Sequence, residues 1–528
     1  MKTIRHTAPS LNAELIGELD GENSCDLAVF RGISFASVDK RWTHSQTRHS
    51  LESPYDATQF GPRCSQGNGM VLVTGGVNDP APGDNEFKCL NLNICTPRES
   101  LPAQGKDTPL LPVMVWIHGG GFAYGANSVA RYRAQVFTSH AKRSGTPVLV
   151  VQVNYRLGVL GFASSDDLAQ ETTGQEAPCR SGNYGFVDQR NALEWVNKHI
   201  ADFGGDPSNI TAFGVSAGSA SIHFHILSRD PLFDRAIMMS GSGPVLGPLP
   251  QQLHEQGWQN MVSECGLLEV KSSAERLSRL RAMKPEELIE KFSKSPLGPV
   301  GDGNLLPETW TFTDEVPETR CKKIMLGDTN IEALVLDHLP ENISQNQFAE
   351  LLAGTFTNDE VEELRSKFGF SKDPQTFEEY RDAVRLLFSA AMFHYPNIGI
   401  ARAALNTPSK GQDVYLYHFE EVSPFPGATH GLSYHGLCAL LIYLNQLDDS
   451  PEPTRVTSLE AASLFTAFAN GKEPWEPFGE AERFFRFGPD GVSGLQYFES
   501  DETRTYEHIE WMAAHWEKIL LFVRRLLY

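Results

Sequence analysis

The chain has 528 residues, 41% of them hydrophobic and 21% charged, a composition typical of a soluble globular protein with enough apolar material for a large core. Its 66 acidic residues outnumber its 45 lysines and arginines, and the resulting net charge of −21 argues against nucleic acid or an anionic membrane surface as a partner. The longest apolar runs, residues 113–117 and 148–153, are far shorter than the ~20 residues of a membrane-spanning helix.

The start of the sequence and its cysteines bear on the cellular compartment. The first ten residues carry positive charge but lack the apolar stretch of a secretory signal, and the eight cysteines show neither zinc-site spacing nor a disulfide framework. We therefore expect a cytoplasmic protein; the alternative is a secreted protein whose true N-terminus lies upstream. Because there is no repeat, low-complexity segment or linker, we predict a single domain over residues 1–528.

Strands are predicted in the first part of the chain. Residues 28–36 and 90–94 have strand character, the latter alternating like an antiparallel strand, and the Gly/Asn/Pro-rich span 61–84 is predicted to be a surface loop. Residues 113–117 and 148–153 are continuous apolar runs rich in β-branched residues. Such runs are typical of strands buried on both faces of a mostly parallel sheet.

Three consecutive glycines follow the first of these buried strands, in the segment HGGGF at residues 118–122. Glycines at such a point leave bare backbone N–H groups beside a reacting carbonyl oxygen. Gly120 and Gly121, together with Ala217, are therefore predicted to form an oxyanion hole. A phosphate-binding loop is the competing interpretation, but the segment lacks both G-x-G-x-x-G spacing and a following Lys-Ser/Thr pair.

A helix and a strand then lead to a serine in a sharp turn. Apolar residues recur at helical spacing over residues 188–202, and the apolar run that starts at Asn209 breaks into the segment GVSAG at residues 214–218. G-x-S-x-G is the pattern of a nucleophile elbow, whose glycines allow a strained strand-to-helix turn that exposes the serine hydroxyl. A plain turn would also fit these five residues, but the order of strand, helix, strand and helix favours Ser216 as a nucleophile.

The C-terminal half combines helices with further strands. Amphipathic helices are predicted near residues 274–282, 285–292 and 377–392, and strands at 324–326 and 414–417. Because ligands of doubly wound sheets bind beyond the carboxyl ends of the strands, these helical segments are candidates to cover the site.

A serine nucleophile needs a histidine base, and the base needs an orienting carboxylate, in the chain order nucleophile, acid, histidine. Asp328 and Glu332 both follow the predicted strand at 324–326, and position alone leaves the choice between them open. His430 and His435 are each followed by glycine downstream of the next strand, and position alone does not separate them either.

Together these motifs resemble the type-B carboxylesterase/lipase family, the cholinesterase-like branch of the α/β-hydrolases, and its fungal members most closely. The resemblance covers nearly the whole chain. The matching segments are FRGI at 30–33, CLNLN at 89–93, WIHGGGF at 116–122, NYRLG at 154–158, GNYG at 182–185, DQ at 188–189, FGGDP at 203–207 and NIT at 209–211. The resemblance implies an α/β-hydrolase fold, with a large, mostly parallel central sheet flanked by helices and with helical and loop insertions over the active site.

The resemblance also selects between the open alternatives. The family's acid is a glutamate five residues after a strand-end glycine, which matches Glu332 after Gly327 and sets Asp328 aside. The family's His-Gly pair is followed by bulky residues six to eight positions later, which His435 satisfies and His430 does not. The implied catalytic set is therefore the elbow serine with Glu332 and His435.

Two departures from the family pattern bear on specificity and on redox state. Relatives usually carry glutamate before the nucleophile, where this chain has Val215, so an apolar wall is expected there and recognition of a cation is put in doubt. Cys64 and Cys89 match the family's first cysteine pair, but Arg279 stands where relatives often carry the partner of Cys265. Together with the absent signal, this favours reduced thiols.

The sequence thus predicts a serine hydrolase that cleaves small-molecule carboxylic esters through an acyl-enzyme, with neither metal nor cofactor. The alternative is an acyltransferase of a biosynthetic pathway that passes the same acyl group to an acceptor other than water. A catalytically silent binding protein is a third hypothesis, which the complete set of catalytic residues argues against. The acyl and alcohol groups and the oligomeric state are not predicted.

Overall fold

The structure, a computed structural model, describes part of the chain. The described residues are 2–21, 26–67, 80–102, 108–174, 181–228, 232–292, 298–312, 319–407, 411–445, 447–501 and 504–527, with the backbone alone at Ser500 and Tyr506. Residues 68–79 of the predicted loop 61–84 therefore lie outside the described residues.

The strands of the described residues are numbered in chain order. They are β1 Lys2–Ala8, β2 Ala13–Asp20, β3 Leu27–Ser34, β4 Ala36–Ser37, β5 Gln46–Thr47, β6 Tyr55–Asp56, β7 Asn91–Pro97, β8 Leu111–Ile117, β9 Leu149–Val153, β10 Gly205–Val215, β11 Arg235–Met239, β12 Lys323–Thr329, β13 Asp413–Phe419, β14 Arg483–Phe487 and β15 Gly494–Tyr497. Within the described ranges, 13 strands form one sheet in the order β1-β2-β3-β7-β9-β8-β10-β11-β12-β13-β14-β15, with β6 beside β2, and β4 pairs with β5 separately.

The middle of the large sheet is parallel and its ends are antiparallel. The pairs from β9 through β14 all run parallel, whereas β1, β2, β3, β7 and β15 add antiparallel pairs at the two ends. Along β8, Val113, Val115 and Ile117 enter one hydrophobic core, and Met114 and Trp116 enter the other. The central strands are thus covered on both faces, as their continuous apolar runs predict.

Helices supply both covering layers. They are α1 Ala134–Arg143, α2 Gly158–Phe162, α3 Asp166–Glu171, α4 Tyr184–His199, α5 Ala217–Leu227, α6 Gln251–Glu264, α7 Ser273–Ala282, α8 Pro285–Lys291, α9 His338–Asn342, α10 Gln345–Ala353, α11 Asn358–Phe368, α12 Phe377–Ser389, α13 Tyr395–Asn406, α14 Leu437–Ile442, α15 Glu452–Ala469, α16 Tyr506–Ala514 and α17 Trp516–Leu527. Among these described helices, none has both the length and the apolar character needed to cross a bilayer.

The predicted elements are confirmed, with two differences in detail. β8, β9, β12 and β13 lie where strands are predicted, and α7, α8 and α12 where amphipathic helices are predicted. The helix expected over 188–202 begins earlier, at Tyr184, and ends at His199. Residues 184–189 are all buried, so they carry no amphipathic signal that could mark the start of the helix. β7 pairs antiparallel as predicted, but all of its residues are buried because it lies inside the sheet.

Cys64 and Cys89 lie beside each other in one of the two cores. Both are buried free thiols, and the Leu157 N–H donates to Cys64 Sγ at 3.3 Å. A hydrogen bond with Cys64 and burial raise the pKa of the Cys89 thiol. The Cys89 sulfur is therefore held in the protonated form.

Parallel pairing brings the segments that carry the candidate residues to one edge of the sheet. The carboxyl ends of β8, β10, β12 and β13 point the same way. The glycine loop follows β8, the elbow follows β10, Glu332 follows β12, and His435 lies in the segment between β13 and α14. This edge is the position expected for a ligand site in such a sheet.

Candidate active site

The candidate nucleophile sits between β10 and α5 in a strained conformation. Ser216 has φ 58° and ψ −126°, a combination that residues with a side chain rarely adopt. A Cβ added to Gly214 or Gly218 would lie 2.5 Å or 2.0 Å from the carbonyl oxygen of Ile117, so only glycine fits at either position. The elbow therefore packs directly on the end of β8, with the serine at the start of a fully buried helix.

The glycine loop after β8 packs against the same serine. A Cβ on Gly119 would lie 2.9 Å from Ser216 Cβ, and Gly120, at φ +110°, accepts hydrogen bonds from the N–H groups of Ala123 and Tyr124 through its carbonyl. A Cβ on Gly121, at φ +59°, would meet nothing within 4 Å, so open space borders the loop at this point. The three predicted oxyanion positions, Gly120, Gly121 and Ala217, thus lie on two segments that pack around Ser216.

His118 fixes the start of the glycine loop. Its imidazole stacks on Tyr155, whose hydroxyl donates to the carbonyl of His118 at 2.8 Å. Its Nδ1 lies 2.8 Å from the carbonyl oxygen of Gly119, so Nδ1 is the donor. Burial lowers the pKa of His118 to about 4, so the ring is neutral at physiological pH. It serves as a packing element here.

Glu332 and His435 form a hydrogen-bonded pair. His435 Nδ1 lies 2.5 Å from Glu332 Oε2, and Glu332 Oε1 accepts a hydrogen bond from the Thr329 N–H at 2.5 Å. The carboxylate is fully buried and the imidazole is 9% exposed. Because a carboxylate only accepts, the proton is on Nδ1, and Nε2 is left as an acceptor. This is the tautomer that a general base requires.

The two loops that carry this pair are joined through their backbones. The Ile331 N–H donates to the Ser433 carbonyl at 2.8 Å, and the His435 N–H donates to the Ile331 carbonyl at 3.3 Å. A Cβ on Gly436 would lie 3.7 Å from Val215 Cγ2, which brings the histidine loop against the residue before Ser216. The loops that carry Ser216, Glu332 and His435 therefore share one region at the sheet edge.

The two rival residues are placed elsewhere. His430 is exposed. Asp328 is fully buried inside β12, where it accepts hydrogen bonds from Arg504 Nε at 2.7 Å and from Asn397 Nδ2 at 2.9 Å. Burial alone would raise the pKa of Asp328, but Arg504, His418, His394 and the hydrogen bond from Asn397 together outweigh it and hold that pKa below its usual value. Asp328 is thus an interior ion-pair partner of Arg504.

Three further residues, which the sequence does not single out, contact His435 or the backbone beside Glu332. They are Ser389, Phe393 and His394, all buried where α12 meets α13. In the sequence Ser389 belongs to the amphipathic stretch 377–392, and Phe393 and His394 directly follow it. Nothing in that pattern indicates a contact with the site.

Val215, the residue before Ser216, packs into a hydrophobic core. Its side chain is 5% exposed and belongs to the same core as Trp116, Tyr417 and Leu437. For metals, no group of three or more His, Cys, Asp or Glu residues in the described ranges is arranged to hold an ion.

Comparison with known proteins identifies the family. The model of the Carboxylesterase family matches residues 7–506. The esterase cest-33 of Caenorhabditis elegans is 30% identical over 481 residues, covering 82% of this chain and 80% of that protein. Lipase 3 of Yarrowia lipolytica is 25% identical, with 95% of each chain covered, and lipase 4 of Diutina rugosa is 32% identical, with 62% of each covered.

A solved structure supports the fold. A thermophilic PNB esterase superposes with a TM-score of 0.71 at 22% identity, covering 96% of this chain and 99% of that one. The large, mostly parallel sheet flanked by helices is the α/β-hydrolase fold of that structure. The chain belongs to the carboxylesterase family and is a carboxylic ester hydrolase.

Proposed function

We propose that Ser216, His435 and Glu332 act as a catalytic triad that cleaves carboxylic esters through an acyl-enzyme. The hydrogen bond between His435 Nδ1 and Glu332 Oε2 carries this proposal, because it leaves Nε2 free to accept a proton on the loop that packs beside Ser216. The strained elbow and the glycine loop support it, since the loop packs against Ser216 and open space borders the loop at Gly121.

In the first half of the reaction, His435 Nε2 removes the proton of Ser216 as Oγ attacks the ester carbonyl carbon. The resulting oxyanion accepts hydrogen bonds from the N–H groups of Gly120, Gly121 and Ala217; each such donor is worth about 3–4 kcal/mol in the rate. The tetrahedral intermediate expels the alcohol, which takes its proton from His435, and the acyl-serine remains.

In the second half, His435 removes a proton from water, which attacks the acyl carbonyl. Collapse of the second intermediate returns the proton to Ser216 Oγ and releases the carboxylic acid. Glu332 orients the imidazole and stabilises the imidazolium that forms in each half. Two buried carboxylate hydrogen bonds, from Thr329 and from His435, suit it to this role.

The labelling experiment for this proposal uses an organophosphate that reacts with activated serines. Intact-mass analysis should show one adduct per chain in the wild type and none in Ser216→Ala, because the proposal makes Ser216 the serine that His435 and Glu332 activate. An adduct that persists in Ser216→Ala would overturn the assignment of the nucleophile. Release of free acid from a p-nitrophenyl ester then distinguishes hydrolysis from transfer of the acyl group to another acceptor.

We expect this enzyme to prefer neutral, apolar esters over choline esters. Val215 is buried beside the nucleophile and supplies no carboxylate to offset the desolvation of a bound cation. Several relatives are called lipases, which supports an apolar substrate. Cation–π contacts with aromatic side chains are worth about 0.5–2 kcal/mol, and we expect this to be less than the cost of desolvating the cation.

The measurement compares kcat/KM for butyrylcholine and for a neutral butyryl ester of similar size at two salt concentrations. The net charge of −21 attracts cations at long range, which raises the encounter rate and is screened by salt. A preference for the choline ester that survives at high salt would show that the wall at Val215 does not set specificity.

A further inference from the structure

The helical run made by α12 and α13 leaves regular α geometry at one turn beside the site. Residues Ala390–His394, between the two helices, form a π-helical turn in which the Tyr395 N–H donates to the carbonyl of Ala390, five residues back. All five residues of the turn are buried. π-helical turns are rare and occur frequently at functional sites, so the contacts of this one indicate what the irregularity achieves.

Two residues of this run hold the backbone on either side of Glu332. Ser389 Oγ accepts a hydrogen bond from the Ala333 N–H at 3.0 Å, and His394 Nε2 lies 3.1 Å from the carbonyl oxygen of Thr329. A carbonyl only accepts, so Nε2 is the donor, and burial keeps the pKa of His394 below its ordinary value and the ring neutral. The N–H of the same Thr329 donates to Glu332 Oε1.

A third residue of the run contacts the base itself. The ring of Phe393 packs against the imidazole of His435, with centroids 5.0 Å apart and planes at 59°. The hydrogen bond to Glu332 fixes only Nδ1 and leaves the ring free to pivot about that contact. Because Phe393 is 2% exposed and held on all sides, its ring limits this pivoting.

The π geometry explains how one helical run makes all three contacts. In an α-helix, residues five apart, such as Ser389 and His394, point about 140° away from each other. Bonding between residues i and i+5 brings such residues to nearly the same side. Ser389, Phe393 and His394 can therefore all face the loop of Glu332 and the ring of His435.

We propose that the π-helical turn Ala390–His394, with Ser389 before it, is a positioning element that sets the geometry of the Glu332–His435 pair. Phe393 acts on the imidazole, and Ser389 and His394 act on the glutamate loop. The inference rests on the proposed function, because it takes Glu332 and His435 to be the acid and the base. Since these residues act through the pair, their loss lowers kcat and leaves KM nearly unchanged.

The test compares Phe393→Leu with Phe388→Leu. Phe388 lies on the same helical run and is fully buried, but its ring faces Phe522 at a centroid distance of 6.4 Å. Both variants lose the same atoms from the core, so a similar drop in Tm is expected for both. In Phe393→Leu, kcat for a p-nitrophenyl ester should fall by about 10- to 100-fold, because a small displacement of the base slows the reaction by about this factor. KM should stay within about twofold of wild type. In Phe388→Leu both constants should stay within about twofold of wild type.

A second pair of variants tests the positioning role if Phe393→Leu does not fold. His394→Gln keeps an amide N–H that can donate to the Thr329 carbonyl, whereas His394→Leu removes the donor. We expect kcat to fall in His394→Leu and to stay close to the wild-type value in His394→Gln, with KM unchanged in both variants. Equal kcat in the two variants would overturn the role of His394.

His435→Ala, measured in parallel, separates failure of this inference from failure of the proposed function. If His435→Ala keeps the wild-type kcat, the triad itself is wrong. If His435→Ala is inactive while Phe393→Leu and Phe388→Leu show the same kcat, the triad stands and the positioning role is wrong.

Discussion

Replacing Ser216 by alanine should abolish hydrolysis of a short p-nitrophenyl ester, with kcat reduced on the order of 10⁶-fold. The substitution removes the atom that forms the acyl-enzyme and leaves only binding and the oxyanion donors, which by themselves give little turnover. The fold should be unaffected, because one hydroxyl oxygen is lost from a half-buried side chain and the backbone strain at φ 58° is the same for alanine as for serine. The measurements are kcat and Tm of the purified variant.

Ser228→Ala is the matched control for this substitution. Ser228 is buried at the other end of α5, where its Oγ donates to the His225 carbonyl at 2.7 Å. The same chemical change there should cost about 1 kcal/mol of stability through the lost hydrogen bond and leave kcat unchanged. A folded Ser216→Ala that retains activity would place the nucleophile elsewhere.

Replacing His435 by alanine should lower kcat by about 10⁴- to 10⁶-fold, because a single imidazole serves as base and then as acid in both halves of the reaction. Glu332 would then keep a buried charge with one hydrogen bond fewer, so some loss of stability is also expected. Single-turnover kinetics should show that both acylation and deacylation are slowed.

His430→Ala is the control from the same loop. His430 is exposed, so its loss should change neither kcat nor Tm by more than a small amount. Full activity in His435→Ala together with a large loss in His430→Ala would reverse the assignment of the base.

The sharp turn at Ser216 was predictable from the sequence because it depends on local backbone conformation. The elbow and the glycine loop need glycine where φ is positive or where a Cβ would lie 2–3 Å from a carbonyl oxygen, as at Gly218 and Gly120. The glycines that meet this need are close together in the sequence, so a short motif reveals them. The central strands were predictable for a similar reason. Strands covered on both faces, such as β8 and β9, must be apolar at nearly every position.

The candidate acid and base were harder to predict from the sequence, because their identity depends on contacts between distant segments. By position alone Asp328 and Glu332 were equivalent; the structure separates them through Arg504, 176 residues further along the chain, which pairs with Asp328. The backbone bonds between Ile331 and the loop that carries His435 likewise join segments about a hundred residues apart. Family resemblance chose the same two residues, but it supplied no physical reason.

What the sequence by itself determined is therefore each local conformation that one short stretch can enforce: the turn at Ser216, the glycine loop before it, and the buried strands that carry both. The tertiary structure alone decided which acid meets which histidine and which helix holds them. Ser389 is an ordinary member of an amphipathic helical pattern in the sequence, and Phe393 lies just beyond that pattern. The fold alone brings both residues, in and beside a π-helical turn, against Ala333 and His435. Helical periodicity records which side of a helix is buried, and it carries no information about the partner on that side.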